Sequence, residues 1–163
     1  MVNKQYGWTM VELMVVITVI GIISISFPQI ISQINKFYKI NQVQVSLQQE
    51  ARVIMDTITR NLREAQSDTI KIDCIPGQMY YSRINFITIN NRNITYYLTG
   101  RTLRQNIDGN VQILSRDVTY LSFSLPKSYD LTIVSVAFTL EKELYELQRK
   151  SLHMASEKVR IMN

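Results

Sequence analysis

GWTMVE at residues 7–12, followed directly by LMVVITVIGIISISF at residues 13–27, is the stretch of this 163-residue chain that decides its fold. The run has no charged residue and approaches the roughly 20 apolar residues that a membrane-spanning helix needs. Glu12 stands at its edge, where a charge is costly without a partner. Either Glu12 lies at the headgroup level of an ordinary anchor, or the segment packs against copies of itself and Glu12 pairs with a positive group there.

A cleaved secretory signal is the alternative interpretation of this N-terminus. Such signals have an apolar stretch of about 7–15 residues and a small-residue exit site. The run here is longer, although SISF at residues 24–27 imitates an exit site. A secretory signal also leaves Gly7 and Glu12 without a role, so we favour a retained apolar helix.

Beyond Pro28 the apolar residues follow helical spacing, with steps of mostly three and four. The positions that share this stripe are Ile30, Ile34, Phe37, Leu47, Ala51, Ile54, Ile58, Leu62 and Ala65. We therefore predict one helix from about Trp8 to about Gln66, apolar on all sides in its first half and amphipathic in its second. Pro28 is expected to bend it where the halves meet, because proline lacks the helix hydrogen-bond donor.

The rest of the chain predicts β-structure. Alternating apolar and polar residues indicate strands at 79–89, 93–99, 102–107, 118–125 and 131–140. Asp108-Gly109-Asn110 is a hairpin or loop signal. Residues 141–150 are compatible with a helix by propensity, whereas a final strand through Leu152, Met154, Val159 and Ile161 would complete the sheet. We favour the strand because an edge strand tolerates this much charge. The predicted class is α+β, with a long N-terminal helix packed on an antiparallel β-sheet.

The stretch at residues 7–17 resembles the processing site of type IV prepilins and of the pseudopilins of type II secretion. These proteins share a short leader that ends in glycine, then an aromatic residue, a glutamate fifth in the mature chain and an apolar helix. Gly7, Trp8 and Glu12 match these positions. The resemblance implies cleavage between Gly7 and Trp8 by a prepilin peptidase, N-methylation of Trp8, and pairing of Glu12 with the terminal amine of a neighbouring subunit during assembly.

The implied organisation has three parts: a leader at residues 1–7, a transmembrane and assembly helix at 8–31, and a pilin-like head at 32–163. The head includes the amphipathic helix half to about residue 66. It is expected outside the cytoplasm, with the chain first spanning the inner membrane once and then joining a pilus or pseudopilus. Expected partners are other minor and major pilins or pseudopilins, the prepilin peptidase, the inner-membrane assembly platform and the membrane.

A second resemblance concerns the subgroup. The helix segment 51–65, the strands around 94–104 and 118–123, and the ending VRIMN at 159–163 are similar to J-type minor pseudopilins and to W-type minor pilins. The expected function is therefore a minor subunit of the tip or priming complex of a type IV pilus or type II secretion pseudopilus. Nothing visible in the sequence distinguishes a pilus, a secretion system and a DNA-uptake system. The alternative is a membrane-anchored binding or sensory domain that never polymerises.

No catalytic constellation and no cofactor motif is visible, so we predict no enzyme activity and no cofactor. His153 is the single histidine, and Cys74, the single cysteine, reads as a small half-buried residue. Asp56 and Glu64 lie near Arg60 and Arg63, where ion pairs within the helix are the ordinary expectation.

The basic residues do not favour nucleic acid as a partner. The net charge is +5, but lysine and arginine are scattered along the chain rather than massed. A nucleic-acid surface needs a basic patch with interleaved base-stacking groups. Nine tyrosines leave this class open.

Overall fold

The computed structural model describes residues 9–78, 80–127, 130–144 and 149–162. The chain divides into two compact units, Met1–Asn41 and Gln42–Asn163. Helix α1 runs from Met10 to Arg63 and confirms the long N-terminal helix, ending close to the predicted end at Gln66. A short 3-10 turn, Ser67–Thr69, follows it.

The described residues after the helix form eight β-strands, which confirms the α+β class. Their bounds are β1 Lys71–Asp73, β2 Arg83–Ile87, β3 Asn93–Thr99, β4 Thr102–Ile107, β5 Asn110–Ser115, β6 Val118–Ser124, β7 Ile133–Leu144 and β8 Arg149–Arg160.

The strands form two antiparallel sheets, where the sequence had predicted one. Sheet 1 has the order β1-β2-β3-β4-β5 and sheet 2 the order β6-β7-β8, so each strand pairs with its neighbour in the chain. Strand β6 does not continue the ladder of sheet 1. Its main chain instead donates isolated hydrogen bonds, from Val118 N to Arg101 O (3.0 Å) and from Phe123 N to Tyr81 O (2.9 Å). Both acceptors lie in connecting segments, Tyr81 before β2 and Arg101 between β3 and β4.

Strands β3 and β4 match their predicted bounds, and the signal at Asp108-Gly109 is confirmed as the two-residue connection between β4 and β5. Asp108 and Gly109 have φ angles of 51° and 93°. Positive φ at both central residues is the geometry of the tight hairpin turn whose twist matches paired strands. Asp108 Oδ1 also accepts a hydrogen bond from Asn93 N at 2.8 Å. The Asp108 carboxylate therefore helps to stabilise the turn by accepting a main-chain hydrogen bond.

Strands β1 and β5 were missed by the sequence reading. Strand β5 lies at the edge of sheet 1, and its apolar residues Val111 and Ile113 are about half exposed. The alternation of apolar and polar residues in β5 therefore does not indicate a buried face of the strand. Strand β1 has only three residues, too few for a pattern. The favoured strand in the tail is confirmed for the described residues, because β7 continues to Leu144 and β8 forms the edge of sheet 2. Residues 145–148 lie outside the described residues.

One hydrophobic cluster contains side chains from α1 and from both sheets. The helix contributes a buried stripe at Leu47, Ala51, Ile54, Ile58 and Leu62. The stripe confirms the predicted amphipathic half, with the steps of three and four that place residues on one helix face. The predicted positions Ile30, Ile34 and Phe37 are exposed.

A buried polar group lies inside this cluster where α1 meets sheet 1. Tyr96 is fully buried, and its hydroxyl oxygen accepts hydrogen bonds from Asn61 Nδ2 at 2.6 Å and from Gln105 Nε2 at 3.0 Å. Burial raises the pKa of Tyr96 to about 12, against the smaller opposing effect of the bond from Asn61. The hydroxyl therefore ties one helix residue and one neighbouring strand to a single position on β3.

Replacing Tyr96 with phenylalanine is expected to destabilise the fold at neutral pH by about 1–3 kcal/mol, because the Asn61 and Gln105 donors lose their buried acceptor. Denaturant unfolding of the full chain in non-ionic detergent measures this. Tyr97→Phe is the matched control. Its side chain is partly exposed on the other face of the same strand, so a change below about 0.5 kcal/mol is expected. Equal losses in the two variants would contradict the assignment.

The stability of the wild-type protein is expected to fall between about pH 10 and pH 12 relative to Tyr96→Phe. The folded protein keeps the Tyr96 proton up to a pKa of about 12, whereas an unfolded tyrosine loses it near pH 10. In that window the unfolded state binds fewer protons, so stability decreases as pH rises. Unfolding curves of both proteins across this range measure whether stability falls as pH rises. A difference in unfolding free energy between the two proteins that stays constant over this range would contradict the prediction.

Candidate functional site

Helix α1 begins with a capping box made by Thr9 and Glu12. Glu12 N donates to Thr9 Oγ1 at 3.3 Å, and Glu12 Oε2 accepts from Thr9 N at 2.9 Å and from Thr9 Oγ1 at 3.0 Å. The first turn of a helix has main-chain N–H groups without helical partners, and this reciprocal arrangement satisfies two of them. Both residues are exposed. The carboxylate at the edge of the apolar run is therefore held in a defined position.

The geometry of Glu12 leaves one of its two oxygens available. Both bonds from Thr9 go to Oε2, and within the described part of the chain Oε1 accepts no hydrogen bond. Thr9 was not predicted as a partner of Glu12. The signal was present, because a threonine three residues before a glutamate and next to an apolar run is the pattern of a capping box.

Gly7 and Trp8, the predicted processing and methylation residues, lie outside the described residues. Both expectations stay predictions. The first described residue is Thr9, which directly follows them in the chain.

The first unit exposes a continuous apolar surface along α1. From Met10 to Phe27, each described side chain of an apolar residue is exposed, including Met10 at 79% and Ile25 at 74%. The helix is long and apolar enough to cross a membrane by length and composition, and none of its most apolar window is buried. Isolated exposed apolar residues are ordinary, but a contiguous apolar surface of this length marks contact with a membrane or a protein.

The polar side chains inside this apolar segment are hydrogen-bonded within the helix. Thr18 Oγ1 donates to Met14 O and Ser24 Oγ to Ile20 O, each at 2.8 Å. Such bonds to the preceding turn give both hydroxyl donors a partner, which an apolar surrounding requires. Pro28 lies inside α1, which is helical on both sides of it. A bend at Pro28 stays a prediction.

The head residues that the sequence analysis singled out do not converge on one site. His153 lies on β8 opposite Leu140 in the sheet register. Cys74 is exposed, where a half-buried position was predicted, and its Sγ donates to Gln78 O. It follows β1 directly and lies outside the hydrophobic cluster. Among the described residues, no group of three or more His, Cys, Asp or Glu side chains is placed to hold a metal ion.

The ion pairs expected within the helix are not formed. Glu64 pairs instead with Arg92 at 3.8 Å, across the connection between β2 and β3. Glu64 lies just past the end of α1, and its carbonyl oxygen also accepts a hydrogen bond from Ile89 N at 2.9 Å. This main-chain contact brings the connection beside Glu64, so its carboxylate reaches a residue distant in sequence.

No family model, curated protein or solved structure matches this chain. The geometry defines a class: an α+β protein with a long N-terminal helix, apolar in its first half, followed by antiparallel sheets. This is a pilin-like layout.

Replacing Thr9 with alanine is expected to loosen the start of α1. Loss of a threonine N-cap costs a helix about 1 kcal/mol, which corresponds to roughly fivefold faster amide hydrogen exchange in the first turn. Exchange measured by NMR in non-ionic detergent micelles tests this. Thr18→Ala is the control, since it removes a threonine hydroxyl from the helix interior and leaves the cap intact. Unchanged exchange at residues 10–13 in Thr9→Ala would show that the capping box does not hold the helix start.

Proposed function

We propose that this chain is a minor pilin or pseudopilin. It is processed by a prepilin peptidase and assembled into the tip or priming complex of a type IV pilus or type II secretion pseudopilus. Before assembly it resides in the inner membrane, crossing it once with the head outside the cytoplasm. Its partners are other pilins or pseudopilins and the inner-membrane assembly platform.

The observation that carries the proposal is Glu12 at the start of an exposed apolar helix. Glu12 is the only acidic residue between positions 1 and 49. A single carboxylate at the edge of an otherwise apolar segment is costly and is retained where a charge partner exists. Thr9 occupies only Oε2, which leaves Oε1 pointing to no described partner. A protonated amine from an adjacent subunit fits this remaining acceptor.

The same reasoning assigns Glu12 a role in register. Within a bundle of apolar helices, a paired charge is poorly screened, and an unpaired one is strongly disfavoured. Only the axial offset that brings an amine to Oε1 satisfies Glu12. The capping box supports this role because it limits the positions that the carboxylate samples before the neighbouring subunit arrives.

The N-terminus after processing tests the class of protein. Co-expression with a prepilin peptidase that cleaves a control prepilin is expected to yield a mature chain beginning at Trp8, with added mass from methylation of its amine. Gly7→Val is expected to block cleavage, because glycine lets the chain approach catalytic groups closely and valine does not. Intact-mass spectrometry reads both results. A chain that still begins at Met1 would favour the membrane-anchored domain that never polymerises.

Two variants separate the charge of Glu12 from its capping role. Glu12→Gln removes the charge and keeps a side chain that suits a capping box, whereas Thr9→Ala keeps the charge and breaks the box. Incorporation into the assembled fibre or tip complex is expected to fall roughly tenfold in Glu12→Gln, because the amine of the neighbour is left unpaired in an apolar bundle. Thr9→Ala is expected to retain most incorporation.

Quantitative immunoblotting of sheared or cross-linked assemblies, normalised to membrane-bound precursor, measures both variants. Wild-type incorporation of Glu12→Gln would overturn the pairing. A loss in Thr9→Ala together with wild-type incorporation of Glu12→Gln would instead assign Glu12 to helix capping alone, because glutamine preserves the capping box.

A further inference from the structure

The outer face of sheet 1 carries a row of side chains that the sequence does not place together. Arg83 on β2 lies opposite Tyr97 on β3, and Tyr97 lies opposite Arg104 on β4. Directly opposed residues in an antiparallel pair have Cβ atoms about 4.5–5.5 Å apart. The three side chains, here called the Arg–Tyr–Arg row, therefore form one line across the centre of the sheet, with the tyrosine between two guanidinium groups.

A second polar row lies beside the first. Asn85, Thr95 and Asn106 are opposed across the same three strands, two residues further along each. Asn85 Nδ2 is already engaged, since it donates to Thr95 Oγ1 at 2.7 Å and to Asn93 Oδ1 at 2.8 Å. All the side chains of both rows are partly exposed, whereas the alternate positions of β2 and β3 face the hydrophobic cluster.

Two polar atoms of this face have no hydrogen-bond partner within the described chain. They are Arg104 Nε and Asn106 Oδ1. Each is buried as an atom although its residue is partly exposed. Buried polar groups are normally hydrogen-bonded, and ordered water or an ion often supplies the partner that the chain does not. Both atoms belong to β4, at neighbouring positions of the same face.

We infer that this face binds single-stranded nucleic acid. The Tyr97 ring stacks on an unpaired base, and the guanidinium groups of Arg83 and Arg104 contact phosphates. Surfaces that bind single strands combine cationic groups along the backbone with aromatic rings on which bases stack. The net charge of +5 adds a general attraction for polyanions.

The geometry favours single strands over duplex. A base stacks on a side chain only when it is unpaired, and duplex sequence is read by elements that enter a groove. Tyr97 and the two arginines opposite it lie on the three central strands of a five-stranded sheet, and not on a helix or a two-stranded ribbon of the kind that enters a groove. The inference rests on sheet 1 alone and does not depend on the proposed function.

Asp73 opposes the binding and provides a test with the opposite sign. Its Oδ2 accepts a hydrogen bond from Arg83 Nη2 at 3.1 Å, in the same cross-strand line. This carboxylate neutralises part of the positive charge that Arg83 presents. Asp73→Asn is therefore expected to tighten binding, which a purely structural role for the salt bridge would not produce.

The experiment uses the full chain in non-ionic detergent with a short fluorescent oligothymidine and a matched duplex, followed by fluorescence anisotropy. Tyr97→Ile keeps strand propensity and removes the ring, and it is expected to weaken binding roughly tenfold, in the range of one base–aromatic stack. Tyr97→Phe keeps the ring and is expected to bind as wild type. Arg104→Gln is expected to reduce the salt dependence by about 0.7 in the slope of log affinity against log salt.

Lys158→Gln is the charge-matched control. Lys158 lies on β8 of sheet 2 and is exposed, so its loss removes one positive charge outside sheet 1 and is expected to leave the salt slope nearly unchanged. Thermal unfolding of each variant verifies that it folds. If Tyr97→Ile does not fold, the affinities of Tyr97→Phe and Arg104→Gln for oligothymidine test the inference.

Three results would overturn the inference. The first is no binding of oligothymidine at low salt. The second is duplex binding at least as tight as single-strand binding. The third is equal weakening by Lys158→Gln and Arg104→Gln, which would indicate non-specific attraction to a basic protein.

Discussion

The packing of one apolar stripe on α1 against two separate sheets is the constraint on which the second unit depends. Among the described residues the sheets share no continuous hydrogen-bonded ladder. Isolated main-chain hydrogen bonds connect β6 with Arg101, between β3 and β4, and with Tyr81, just before β2. The buried faces of the sheets meet in one cluster with the helix residues between Leu47 and Leu62. Burial of apolar surface is not directional, so it holds the layers together without fixing their lateral position. A polar contact between the helix and sheet 1 fixes the lateral position that apolar packing leaves open.

Tyr96 provides that contact. The centroids of its ring and the Phe86 ring are 6.2 Å apart. Its hydroxyl oxygen accepts hydrogen bonds from Asn61 on α1 and from Gln105 on β4. A shifted helix would leave these buried donors unpaired, which costs more than the bonds contribute when formed. The raised pKa of Tyr96 is the electrostatic consequence of this burial. The same residue therefore explains both the position of the helix on sheet 1 and the expected loss of stability at high pH.

The apolar half of α1 is governed by a different requirement. Its described apolar side chains are exposed, and the hydroxyl groups of Thr18 and Ser24 bond within the helix. Such a segment is suited to a membrane or to a bundle of similar helices, and Glu12 is suited to the second once a positive partner is supplied. The capping box makes both roles compatible. One carboxylate oxygen completes the helix start, and the other is available for a neighbour.

Much of the fold could be predicted from local pattern. The stripe of α1, the bounds of β3 and β4 and the turn at Asp108 depend on helical spacing, alternation and turn chemistry, all of which act over a few residues. The missed elements lack these signals. Strand β5 exposes its apolar residues at an edge, β1 is short, and the division into two sheets depends on where β6 docks. Thr9 was missed for another reason, because its capping pattern was present but was interpreted only as part of a longer motif.

By itself the sequence determined the apolar helix, the placement of Glu12 at its edge and the α+β class, because each follows from residues that are close in the chain. Which residues distant in sequence come into contact was decided only by the tertiary structure. Lysine and arginine appear dispersed along the sequence, yet strand register brings Arg83 and Arg104 to either side of Tyr97. Register also places Gln105 opposite Tyr96, and the packing of α1 on the sheet brings Asn61 to the same hydroxyl. Register depends on the turns and on the buried face of the whole sheet, so no local stretch encodes these meetings.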